Sequence, residues 1–201
     1  MQQFVARYRI GISRALFAVV LGLILLTRHR YPDPSLWTGL SGALGFVMIV
    51  VAALGRLWCS VYICGYKTRR VIADGPYSVV RNPLYAFSLI GAVGIGLVTH
   101  SLLVVALLLV IFVGVYPLTV ADEEAKLEAA LGEEYVAYKG RVPRFVPDFS
   151  RFSNVETYTV NVPQLQSAFL DAIWFPLGYL ALEGLAHAQR SGLLPVLAHV
   201  P

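Results

Sequence analysis

Charged residues are scarce in this chain of 201 amino acids. Asp, Glu, Lys and Arg together make up 14% of it, against about 25% in soluble domains. So few charges cannot cover a chain that is 57% hydrophobic with a water-facing surface. Cysteine and methionine are rarer still, with two of each. Two cysteines exclude a disulfide scaffold, and no Cys and His grouping has the spacing of a zinc site. Cys59 and Cys64 read as apolar filler. Seventeen glycines are far too few for collagen, and the apolar excess excludes disorder. No Gly-x-Ser-x-Gly, Walker A or His-Glu-x-x-His pattern occurs. What the chain has in plenty is long apolar runs, giving a mean hydropathy of +0.67. They imply an all-α fold, an integral membrane helical bundle.

A membrane-crossing helix needs about 20 apolar residues. Runs over 10–27, 36–57, 84–98 and 102–118 predict four spans. In the first, Arg14 is close enough to one end to snorkel. Arg7, Arg9 and Arg14 before an apolar run would also suit a signal peptide, but Thr27-Arg28-His29-Arg30 stands where small residues should mark cleavage. The second span follows the turn signal Tyr31-Pro32-Asp33-Pro34 and carries Gly39, Ser41, Gly42 and Gly45, a cluster suited to close helix packing. Only Thr99-His100-Ser101 separates the last two, which predicts a tight antiparallel hairpin. Gly91-Ala92-Val93-Gly94-Ile95-Gly96 looks like a nucleotide loop but follows no strand and lacks the GxGxxG order. Small-residue helix packing explains it.

Sixteen Lys and Arg against twelve Asp and Glu give a formal charge of +4. The bases lie between apolar runs, where juxtamembrane positives belong, and point to a membrane partner and not to nucleic acid. They concentrate at the N-terminus, at Lys67, Arg69, Arg70 and Arg81, and at Lys126, Lys139, Arg141, Arg144 and Arg151. The His100 turn has none, so the positive-inside rule puts the N-terminus, central loop and tail on the cytoplasmic side, of the inner membrane if the chain is bacterial. Residues 1–163 then form a membrane core with a cytoplasmic cofactor segment at 119–150, and 164–201 a C-terminal membrane-associated piece. Segment 164–190 is apolar but holds Asp171, Pro176, Glu183 and His187. An amphipathic helix lying on the membrane or packing on the bundle, with Pro176 able to supply a kink, is expected there in preference to a fifth span. A metal site from Asp171, Glu183 and His187 is the less expected alternative to charges rimming a helix.

Polar residues concentrate twice. The first stretch, 73–85, has a Gly75-Pro76 turn and Asn82-Pro83 as the cap and first turn of the third span. Arg81 and Asn82 therefore stand at a helix N-terminus, which attracts anions. The plainer alternative is a capped helix with a snorkelling Arg. In the second stretch, 122–138, Leu127 and Leu131 form an apolar stripe on a helix that Gly132 can end. At 100° per residue Glu123 and Glu124 flank that stripe, while Asp122, Lys126 and Ala129 point away. Carboxylates turned toward the protein at membrane depth need partners, which marks them as functional candidates. Their alternative role is to complement the helix dipole.

Gly75-Pro76-Tyr77, Arg81-Asn82-Pro83-Leu84-Tyr85 and, after the hairpin, Glu123-Glu124, Gly132, Glu134-Tyr135, Tyr138 and Val142-Pro143-Arg144 together resemble the isoprenylcysteine carboxyl methyltransferase family and its phospholipid methyltransferase relatives, in a bacterial-type form. The likeness covers about 67–147. It implies a multi-span membrane enzyme that binds S-adenosylmethionine from the cytoplasm and methylates a carboxylate, thiol or amine on a lipid-like or isoprenoid-linked acceptor. Asn82 replaces the His of the eukaryotic Arg-His-Pro-x-Tyr motif, and 116–122 has no Arg before the Glu pair.

On this resemblance Arg81 and Asn82 would serve the cofactor's carboxylate, and Glu123 and Glu124 its amino group or ribose hydroxyls. Tyr135, Tyr138, Phe145 and the Val142-Pro143 backbone would form the adenine slot, with Tyr77, Tyr85 and Arg144 completing the site. Catalytic parts fall to Arg81 and to Glu124, the proton acceptor for an amine substrate. No resident metal is implied. Two rival readings are an NADPH-dependent reductase related to sterol reductases, using Arg69 or Arg70, and a non-enzymatic membrane scaffold.

Overall fold

The computed structural model describes residues 2–32 and 34–201, and of 2–10 and 12–14 the backbone alone. The side chains of Arg7, Arg9 and Arg14, with their expected snorkelling and orienting parts, and Asp33 of the turn signal lie outside the described residues. The elements in order are α1 Gln2–Leu26, β1 Thr27–His29, α2 Leu36–Ile63, α3 Pro76–Val79, α4 Pro83–Val98, α5 Leu102–Leu131, α6 Glu133–Arg141, a 3-10 turn at Phe149–Arg151, α7 Val162–Arg190 and β2 Ala198–Val200.

Among the described residues three helices are long and apolar enough to cross a membrane: α2, α5 and α7. The 16 residues of α4 reach about 24 Å at 1.5 Å per residue, short of the ~30 Å hydrocarbon core. The described apolar part of α1, Ala15–Leu26, is also short. Two of the four expected spans thus meet the length by themselves. So does α7, for which a surface position was the preferred expectation. Its Pro176 sits inside a continuous 29-residue helix, and the apolar residues outnumber the few polar ones along that length.

The chain forms two compact units. Unit 1 comprises residues 1–50, 89–117 and 175–201. A Cβ on Gly45 of α2 would lie 2.7 Å from the Gly94 carbonyl oxygen of α4, and one on Gly94 would lie 2.8 Å from the Gly45 oxygen. Only residues without a side chain let the two backbones meet this closely. Gly96 likewise seats α4 against Val105 of α5, closing the expected hairpin. The glycines of the nucleotide-loop lookalike therefore serve helix packing, whereas Gly39 of the α2 cluster faces open space. His100 turns the hairpin at φ 55, and its Nδ1 lies 2.8 Å from Ser41 Oγ. β1 and β2 pair in parallel, Thr27 opposite Ala198 and His29 opposite Val200.

Unit 2 comprises residues 51–88 and 118–174. Gly75 opens α3 at φ 57 with Pro76 at its first position, and any Cβ there would collide with the Tyr62 ring. Cys59, Tyr62 and Tyr77 form one buried cluster; Tyr135, Tyr138 and Val142 form another, backed by Leu127 and Leu131. Gly132, at φ 59, ends α5 and starts α6, as its place in the sequence predicts.

Candidate functional site

The site of unit 2 is built around one carboxylate. Glu124, near the C-terminal end of α5, is 1% exposed. Its Oε2 accepts from Nε of Arg144 at 2.9 Å and from Nη2 at 2.5 Å. Its Oε1 accepts from Asn82 Nδ2 at 3.0 Å and lies 3.2 Å from Arg81 Nε. That last contact is an attraction of charges without hydrogen-bond alignment, for the buried Arg81 N–H has no acceptor among the described residues. A buried carboxylate is stable only when charge and lone pairs are both met, and here three side chains meet them. The backbone tightens the same knot, because Arg81 N–H donates to the Pro143 oxygen and Arg81 Nη1 to the Lys139 oxygen.

Asn82 stands just before α4, where its carbonyl accepts from Tyr85 and Ala86 N–H groups. Its side-chain amide reaches to Glu124 and to the Arg144 carbonyl, so the tertiary contact claims what sequence position assigns to capping. Arg81 is not snorkelling, since its side chain is only 11% exposed. The helical-wheel expectation holds on all three acids: Asp122 is exposed, Glu123 half-buried and Glu124 buried.

Next to this knot lies a cavity enclosing about 560 Å³, part of it open to solvent. Glu123 lines it, with Oε2 accepting from the Tyr85 hydroxyl at 2.6 Å and Oε1 paired to Lys67 Nζ at 2.5 Å. Tyr77, Arg81, Asn82 and Tyr85 also line it, as do the rings of Tyr135 and Tyr138. Burial pushes the Tyr135 phenol up to about 12, with the negative charge of Glu124 adding to the rise. Burial also raises the Tyr77 and Tyr138 phenols. All three are therefore neutral hydroxyls near pH 7. Tyr138 donates to the Tyr77 carbonyl at 2.8 Å, whereas the buried Tyr77 hydroxyl has no partner among the described residues.

Seven of the eleven expected cofactor residues thus line one cavity. The other four do not. Glu124 and Arg144 form the knot at its side, and Val142 and Pro143 line a separate shallow groove. Phe145, proposed for the adenine slot, is exposed, with the Arg144 guanidinium 5.9 Å from its ring centroid. The chain leaves α6 in extended conformation at Val142, which stays packed with Tyr135 and Tyr138 while Phe145 is exposed. Lys67 and Arg70 also line the cavity; sequence reasoning gives Lys67 only an orienting charge, and Arg70 that charge and a place in the rival reductase reading. Their one signal is a cluster of bases ahead of the Gly-Pro turn. Chemically, the cavity offers the Glu123 carboxylate, the cationic side chains of Arg81, Lys67 and Arg70, and aromatic walls. That set suits a ligand carrying both charges and a flat ring.

A family model described as phospholipid methyltransferase matches residues 40–134. The chain is 33% identical over all its 201 residues to the nickel-cobalt-cadmium resistance protein NccN of Alcaligenes xylosoxydans xylosoxydans, covering 93% of that protein. It is 36% identical over 175 residues to the cobalt-zinc-cadmium resistance protein CzcN of Cupriavidus metallidurans, which is 87% of this chain and 80% of that one. No solved structure gives a significant match. The matched stretch contains Arg81, Asn82, Glu123 and Glu124 and stops before Tyr135.

Proposed function

Because the chain belongs to the phospholipid methyltransferase family, we propose that it is a membrane methyltransferase that binds S-adenosylmethionine in the unit 2 cavity and methylates a lipid-like acceptor. The observation that carries this is the cavity wall itself, which brings Glu123, Arg81, Asn82 and the Tyr77, Tyr85, Tyr135 and Tyr138 side chains together. The residues fit the cofactor: Arg81 and Asn82 suit its carboxylate, Glu123 its ammonium or ribose hydroxyls, and the Tyr135 and Tyr138 rings its adenine. S-adenosylmethionine supplies a methyl group already activated on a sulfonium.

The protein's part is to hold, align and exclude water. Proximity and orientation account for about 7–11 kcal/mol of such a barrier. Glu124 acts here as a positioning residue. With both oxygens engaged by Arg144, Asn82 and Arg81, it has no lone pair aimed at a substrate, so the proton-acceptor role first given to it passes to the holding of Arg81. The cytoplasmic placing of this site follows from the positive-inside distribution of Lys67, Arg70, Lys139 and Arg141.

Calorimetry with S-adenosylhomocysteine tests the reading. Binding supports it, binding of NADPH in its place favours the reductase, and binding of neither favours the scaffold. NccN and CzcN are named for metal resistance, which suggests where to seek the acceptor. A labelled-methyl assay on membrane lipids from cells grown with and without cobalt should yield a labelled lipid, and failure on both extracts would remove lipids as the substrate class.

A further inference from the structure

Within unit 2, the segment after α6 turns apolar side chains outward. Val146 is 77% and Phe149 76% exposed, and Phe145 and Phe152 are exposed as well. The backbone there is fixed. Asp148 N–H donates to the Val79 oxygen, Gly75 N–H to the Ser153 oxygen, Ser153 N–H to Ser78 Oγ, and the Tyr62 hydroxyl to Asn154 Oδ1 at 2.6 Å. These side chains therefore cannot fold inward to escape water. Beside them runs a shallow open groove lined by Lys139, Arg141 and Arg151, with Asp148 its one acid. Lys139 is held by Glu128 and Arg151 by Asp148. Arg141 is exposed and makes no ion pair among the described residues.

The depth of this face is marked by a ring contact. The Phe152 ring lies 6.3 Å from that of Trp58, five residues before the end of the candidate span α2 and itself 40% exposed. Trp near a span's end belongs to the headgroup level of a bilayer. Apolar anchors at that level, next to three cations of which Arg141 has no ion pair among the described residues, match the chemistry of an interfacial lipid-binding surface.

We propose that segment 142–155 docks on the anionic phospholipid surface of the membrane that the chain's own helices cross. Phe149, Val146 and Phe152 enter the boundary between headgroups and acyl chains, while Arg141, Arg151 and Lys139 bind headgroup phosphates. The inference rests on α2 crossing the membrane and stands apart from the methyltransferase reading.

Hydrogen exchange of the full chain in nanodiscs tests it. With phosphatidylglycerol present, peptides covering 142–155 should exchange on the order of a hundredfold more slowly than in phosphatidylcholine alone, since three cations near an anionic surface count for about 1 kcal/mol each and 1.4 kcal/mol is tenfold. The doubly substituted Arg141→Glu, Arg151→Glu chain and Phe149→Asp should each abolish that difference. A thermal melt like the parent's in both variants would show that they are folded. Equal exchange in the two lipids would overturn the proposal. So would protection that survives both variants, protection given equally by inorganic phosphate, or protection that appears in detergent as chain concentration rises, which would mean a second copy covers the face.

Discussion

In unit 1 helices meet through what their residues lack, Gly45 against Gly94 and Gly96 against Val105, whereas in unit 2 charged side chains converge on Glu124 and Glu123. The first arrangement depends on shape and is set by dispersion and backbone approach, with no net desolvation of charge. The second depends on pairing, and removing Glu124 leaves the buried Arg81 uncompensated. The units should therefore fail in different ways when disturbed. Glu124→Ala should show the largest effect, because it strands Arg144, Asn82 and Arg81 together. A loss of about 3–5 kcal/mol is expected for breaking a buried pair, read as a drop in the melting temperature of purified protein, with S-adenosylhomocysteine binding lost. A variant that melts and binds like the parent would show that the knot holds nothing.

The matching disturbance of unit 1 is Gly45→Val. Its branched side chain would have to displace the Gly94 backbone and Val98, both already within 3.0 Å of a bare Cβ. Overpacking of this kind costs about 1–3 kcal/mol. The melting temperature should fall while the affinity for S-adenosylhomocysteine in unfolding-free conditions stays the same. If affinity falls along with stability, the contrast between a packing unit and a binding unit is wrong.

Glu123→Gln sharpens the contrast inside unit 2. Its ion pair with the exposed Lys67 contributes little to stability, about 0–1 kcal/mol. Its place on the cavity wall makes it a ligand contact under the proposed function. About a tenfold loss of S-adenosylhomocysteine affinity is expected, equivalent to 1.4 kcal/mol, with melting nearly unchanged. Calorimetry and a thermal melt on the same sample give both numbers, and the reverse pattern would make Glu123 a structural residue.

Much of this was legible before the fold was known, and the reasons are local. A wheel of 100° per residue turns Glu123 and Glu124 inward, Gly132 stops a helix, and Asn82-Pro83 starts one, all from neighbours in sequence. What escaped depends on residues far apart. Arg144 meets Glu124 across 20 positions and Asn82 meets it across 42, distances over which no periodicity speaks. Lys67 finds Glu123 in the same way, so its charge was readable and its partner was not. β1 and β2 are three residues each, too short for alternation to show, and their pairing joins positions 27–29 to 198–200. Val142 and Phe145 were grouped with the cavity because they follow Tyr138, but chain direction after a helix end is decided by tertiary bonds such as Arg81 N–H to Pro143.

The smallest expected effect belongs to the acid that sits beside the other two. Asp122, Glu123 and Glu124 share a helix, a charge and nearly a position, so composition and hydropathy cannot distinguish them. Only rotation about the helix axis does, placing Asp122 outward and exposed. Asp122→Ala should therefore change melting by no more than the ±0.5 kcal/mol usual for surface substitutions, and leave S-adenosylhomocysteine affinity within error. Any general effect of negative charge at this end of α5, through the helix dipole or the net field, would act on all three acids alike. Equal losses at Asp122 and Glu124 would thus trace the site's behaviour to charge density, and a null at Asp122 beside a collapse at Glu124 would trace it to the direction each side chain faces.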